Sequence, residues 1–119
     1  MTEAATRTVV DSRQEIKDIL DGKDNRLLII TGPCSIISQR QALTYGERLA
    51  GLQEKVNTTI KLVMRVYFEK PRTNVGYKGL ISDPHIDKKT FDIDEGLRTA
   101  RRILMGLNEM GVAAGTEIL

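Results

Sequence analysis

The apolar positions of this chain switch between two periods, and the switches mark its elements. Ser12-Arg13-Gln14-Glu15 has the spacing of a helix capping box, and Ile16, Ile19 and Leu20 follow on one face. Asp21-Gly22 predicts the end of that short helix, and residues 1–11 read as a loosely attached arm. Arg26 to Thr31 carries four aliphatics in a row, the mark of a strand buried on both faces. Gly32-Pro33 breaks it. Ser38-Gln39-Arg40-Gln41 is a second capping box, and Ala42, Tyr45, Leu49, Leu52 and Val56 recur at helical spacing to about Lys55. After the loop Asn57-Thr58-Thr59, Ile60 to Phe68 is rich in β-branched and aromatic residues and predicts a second strand.

Residues 70–91 lack a clear period and contain Pro71, Gly76, Gly79 and Asp83-Pro84. Unstructured stretches longer than about 12–15 residues are uncommon in compact domains and are often functional. Asp92 to Glu95 then opens a third helix, with an apolar stripe of Leu97, Ala100, Ile103, Leu104, Leu107 and Met110. Gly111 is a suitable stop, and Val112 to Leu119 predicts a third strand.

Strand, helix, strand in this order is a βαβ unit and requires parallel strands. The fold class is therefore α/β, either an open doubly wound sheet or the first part of an eight-stranded barrel. A complete barrel takes about 250 residues, so the 119 residues here are under half of one. The chain divides into an arm and helix, residues 1–25, and a partial domain, residues 26–119.

Hydrophobic content of 40% and charged content of 29% are those of a soluble globular protein. No apolar run approaches the ~20 residues of a membrane span, and residues 1–10 lack a signal-peptide core. These features predict a cytoplasmic protein without a membrane partner. A net charge of +2 argues against nucleic acid as a partner. The charge is uneven, however: Lys61, Arg65, Lys70, Arg72 and Lys78 face only Glu69 between residues 61 and 80. A solvated face explains many such clusters, but here the cations bracket an apolar strand and a proline turn, which suits a small anion.

In parallel α/β architectures, ligands bind beyond the carboxyl ends of the strands. Cys34 follows the first strand, Lys70, Arg72 and Thr73 follow the second, and Glu117 lies late in the third. All would share one mouth. The lone Cys34 is either a buried small hydrophobe or a thiolate able to ligate metal. A single thiol cannot close a metal site, and the only histidine, His85 between Asp83 and Asp87, reads as a loop anchor. Arg65 within an apolar strand must be paired, with Glu69 or Glu117 as candidates, or bind an anion. Arg72 and Thr73 suit a phosphate, and Lys70 a phosphate or carboxylate. Tyr67 and Phe68 read as core and wall, and Arg98, Arg101 and Arg102 as a solvated helix face.

Leu27 to Ile36 (LLIITGPCSI), Met64 to Thr73 (MRVYFEKPRT), Gly76 to His85 (GYKGLISDPH) and Asp94 to Arg98 (DEGLR) closely resemble class I 3-deoxy-D-arabino-heptulosonate 7-phosphate (DAHP) synthase. The resemblance runs from about Ile16 to Leu119 and covers roughly the amino-terminal third of that family's length. It implies a TIM barrel, here incomplete, with an amino-terminal helical extension. It also implies a phospho-2-dehydro-3-deoxyheptonate aldolase, a transferase that condenses phosphoenolpyruvate with erythrose 4-phosphate and releases phosphate. This is the first step of the shikimate pathway to aromatic amino acids.

By the same resemblance Cys34 is a ligand of a divalent metal such as manganese or iron. Arg65 and Lys70 hold phosphoenolpyruvate. Lys70, Pro71, Arg72 and Thr73 form the Lys-Pro-Arg-Thr motif that holds the erythrose phosphate, and Glu117 is a carboxylate near the reacting centre. Lys70 and Glu117 are thus the catalytic candidates. The family usually has His-Asp where Ile37-Ser38 stand, which implies a local change of loop and cap. Its remaining metal ligands lie on strands beyond this sequence. The expectation is an inactive fragment prone to self-association, from a family of homo-oligomers. A non-catalytic phosphometabolite-binding module is the alternative, and a synthase of an eight-carbon sugar acid is a third reading.

Overall fold

A computed structural model of the chain describes residues 2–69, 80 and 93–117. Helix α1 spans Glu3–Leu20, strand β1 Leu27–Thr31, helix α2 Gln39–Val56, strand β2 Ile60–Arg65, helix α3 Ile93–Glu109 and strand β3 Ala113–Gly115. The three strands form one parallel sheet in the order β1-β2-β3. The predicted α/β class and parallel pairing are both present.

Central β2 is buried along most of its length, and its faces differ. Leu62 and Met64, continued beyond the strand by Val66 and Phe68, pack with Ile103 and Leu107 of α3 and Ala42 and Leu49 of α2. Alternation along a strand places Lys61, Val63 and Arg65 on the opposite face. The stripe predicted for α3 is buried at Ala100, Ile103 and Leu107, while Leu97 is half exposed. No helix among the described residues is long and apolar enough to cross a membrane.

The second capping box is built at Ser38 as predicted, with its return bond falling one residue before the N-cap. The Gln41 amide donates to Ser38 Oγ at 3.1 Å, and the Gln41 side chain accepts from the Ile37 amide at 3.1 Å. The first is not. Helix α1 begins well before the Ser12 box: Thr2, not Ser12, is its N-cap, accepting from the Ala5 amide at 3.2 Å. The expected loose arm over residues 1–11 is therefore helix from Glu3 onward. Tertiary contact is the reason. Ala5 is fully buried, and Thr8 donates to the Asn108 carbonyl on α3 at 2.6 Å.

Two strands are shorter than predicted. β2 ends at Arg65 rather than Phe68, and β3 covers only Ala113–Gly115. Beyond the sheet the ladder gives way to single bonds. The Val66 amide donates to the Gly115 carbonyl at 2.8 Å, Ile36 to Tyr67 at 2.7 Å, and Leu80 to Phe68 at 2.7 Å. These bonds hold the three strand exits side by side.

Candidate functional site

The register sets the geometry of the rim. Thr31 pairs with Met64, and Arg65 pairs with Gly115. Gly32, one residue past β1, lies so close to Arg65 that an added Cβ would overlap the Arg65 carbonyl oxygen. A side chain at position 32 would push the Gly-Pro-Cys turn away from β2. The turn instead stays against the sheet and places Cys34, which is exposed, at the same end as Arg65.

Arg65 takes neither of the acid partners that were the alternative to binding an anion. It forms no ion pair with Glu69 or Glu117, and none with any acid among the described residues. Its guanidinium carbon lies 4.1 Å from the centroid of the Tyr67 ring. Strand alternation brings residues 65 and 67 to one face, so the ring that the sequence placed in the wall stacks on a cation of the rim.

Glu117 reaches across from the end of β3. Its Oε1 accepts hydrogen bonds from the Phe68 amide at 2.9 Å and the Glu69 amide at 3.2 Å. Thr116 Oγ1 donates to the other carboxylate oxygen at 3.3 Å. Glu117 thus pins the chain one residue before Lys70.

Cys34, Arg65 and Glu117 all lie at the carboxyl-terminal end of the parallel sheet, beyond or at the ends of β1, β2 and β3. Lys70, Pro71, Arg72 and Thr73 lie outside the described residues, as do Asp83, His85 and Asp87. Among the described residues, no group of three or more His, Cys, Asp or Glu side chains could hold a metal ion. An exposed Cys34 can supply one soft ligand of the kind a first-row divalent ion accepts. The sequence does carry a signal for Tyr67: it lies two residues after a strand arginine that needs a partner.

A second charged cluster lies at the opposite end of the strands. Glu15 of α1 pairs with Lys61 Nζ at 3.0 Å and with Arg26 at 3.0 Å, and Arg26 also pairs with Asp24 at 2.9 Å. Lys61 is 8% exposed and comes within 3.4 Å of Ser12 Oγ. Burial pushes the Glu15 carboxyl upward, but hydrogen bonds and charge from Lys61 and Arg26 outweigh it and hold the group below its ordinary value. The Arg26 side-chain bond lowers Asp24 likewise, and the same bond raises Arg26. This cluster fixes α1 beneath the sheet, away from the rim.

The chain matches the family described as DAHP synthetase I over residues 6–119. It is 50% identical over 118 residues to the Phe-sensitive phospho-2-dehydro-3-deoxyheptonate aldolase of Escherichia coli K12, covering 99% of this chain and 33% of that protein. It is 46% identical to the Corynebacterium glutamicum aldolase of the same name, over 100% of this chain and 32% of that one. The solved Francisella tularensis aldolase superposes with a TM-score of 0.93 at 42% identity, covering 99% of this chain and 34% of that structure. The chain spans about a third of the length of these relatives. A match over nearly all of its residues, in sequence and in backbone, makes this chain a member of the DAHP synthetase I family.

Proposed function

We propose that these residues form the part of a DAHP synthase that receives the anionic end of phosphoenolpyruvate, on the first three strands of a TIM barrel. The observation that carries this reading is the convergence of Cys34, Arg65 and Glu117 at one rim, with Arg65 free of any acid partner among the described residues.

Arg65 binds the carboxylate or phosphate of the substrate through its planar fork of donors. Lys70 adds a point charge to the same anion, and Pro71, Arg72 and Thr73 receive the phosphate of erythrose 4-phosphate. Glu117 holds the exit of β2, so that Lys70 is delivered from a fixed backbone. Cys34 would hold one position of a divalent metal, manganese or iron. Such a metal, when bound, polarises a carbonyl oxygen as a Lewis acid. The rest of the reaction, its homo-oligomeric assembly and its place at the head of aromatic amino acid synthesis belong to proteins of the relatives' length. A reducing cytoplasm accords with an exposed thiol.

The test is calorimetry of the 119-residue chain with phosphoenolpyruvate. Binding weakened at least tenfold by Arg65→Ala supports the reading, and equal affinity of the two proteins removes it. Because the chain spans a third of its relatives, we expect phosphate release with both substrates and manganese to stay at background.

A further inference from the structure

We propose that Tyr67 is a positioning residue: its ring presents the Arg65 guanidinium, donors unspent, to an incoming carboxylate or phosphate. The inference deepens the reading of the rim given above and rests on it.

A guanidinium directs its five N–H donors outward in its own plane and has none on its faces. An acid partner would restrain Arg65 by consuming donors along one edge. An aromatic ring restrains it from the face and consumes none. The structure has the second arrangement, with the guanidinium carbon 4.1 Å from the Tyr67 centroid. Arg65 makes no ion pair among the described residues, so its fork stays available.

The backbone that carries the ring is itself held. The Tyr67 carbonyl accepts from the Ile36 amide at 2.7 Å, and the next amide, Phe68, donates to Glu117 at 2.9 Å. Backbone bonds from the exits of β1 and β3 thus flank the platform. Gly32 lies against the Arg65 backbone, where an added Cβ would overlap its carbonyl oxygen, so the root of the Arg65 side chain is not displaced from β1. A restrained cation loses less rotamer freedom on binding, which is how preorganisation raises affinity.

The experiment compares the wild-type chain with Tyr67→Phe, Tyr67→Met, Arg65→Ala and the Arg65→Ala/Tyr67→Met double variant. Calorimetry uses phosphoenolpyruvate, and circular dichroism monitors folding. Tyr67→Phe, which keeps the ring face, retains affinity within about twofold, whereas Tyr67→Met, which keeps bulk without the ring, loses about three- to tenfold. The double variant binds no worse than Arg65→Ala, because both substitutions remove one device. In the ligand-free protein, the Arg65 Nε–H proton shows a ring-current shift that Tyr67→Phe preserves and Tyr67→Met abolishes. If Arg65→Ala weakens binding but Tyr67→Met does not, the positioning role fails and the rim reading stands. Additive losses in the double variant, or no ring-current shift, also overturn it. If Arg65→Ala has no effect, both readings fall.

Discussion

Glu117 and Phe68 are joined across the strand exits: the carboxylate at the end of β3 accepts the Phe68 amide at 2.9 Å. The adjacent Glu69 amide shares the same oxygen at 3.2 Å. A charged acceptor on two backbone donors is among the stronger neutral-to-ion contacts a protein makes. It binds the end of β3 to the segment entering Lys70, although that segment has left the sheet.

Replacing Glu117 by Ala should therefore loosen the β2 exit before anything else. We expect amide exchange at Phe68 and Glu69 to accelerate by at least tenfold, while amides within Leu62–Met64 change little. The overall cost should be about 1–3 kcal/mol, the range for leaving polar groups unsatisfied. Uniform acceleration along β2 would show that Glu117 supports the whole sheet instead.

Glu15→Ala removes the carboxylate that Lys61 and Arg26 share. A lysine 8% exposed is then left without its acid. We expect a loss of about 1–3 kcal/mol, below the 3–5 typical of fully buried pairs because Glu15 is 34% exposed. Lys61→Met should cost less, since an apolar chain of similar length needs no partner there. Urea midpoints of the two variants compare them directly.

The same cluster sets an acid limb of stability. Glu15 and Asp24 are both lowered in the folded protein, so the unfolded chain takes up protons more readily. Their contribution is complete above the unfolded carboxyl values, about 3.9 for Asp and 4.3 for Glu, and disappears as pH falls through the lower folded values. Midpoints measured from pH 7 to pH 3 should fall in that window, and less steeply for Glu15→Gln. A Glu15→Gln profile parallel to the wild type would refute the linkage.

One substitution should act with opposite sign at two glycines. At Gly32 an added methyl meets the Arg65 carbonyl oxygen, and overpacking of this kind costs about 1–3 kcal/mol. At Gly51, on an exposed face of helix α2, an added methyl meets nothing within 4 Å. Gly51→Ala should stabilise by about 0.5–1 kcal/mol through helix propensity. Denaturant titrations at constant slope would verify both signs.

Strand β1 pairs only with β2 among the described residues, and Leu27 and Ile30 on it are 61% and 64% exposed. An open apolar edge invites pairing between chains. We expect concentration-dependent association of the 119-residue chain in sedimentation velocity, reduced by Ile30→Lys. A monomer at millimolar concentration in the wild type would contradict this.

The apolar run Leu27–Ile30, the Ser38–Gln41 box and the stripe around Ile103 and Leu107 determined β1, α2 and α3, because each rests on a period or cap local to the chain. The order of those elements also placed Cys34, Arg65 and Glu117 at one end of a parallel sheet. Helix α1 was half legible. The Ser12 spacing suggested a start that the docking of Ala5 and Thr8 against α3 overrode. Partners were decided only by tertiary structure. Arg65 rests on Tyr67 rather than on an acid, and Glu117 binds backbone amides 48 and 49 residues away. Periodicity reports which face a side chain takes, because that follows from the local backbone. Which group waits on that face depends on the register between strands distant in sequence.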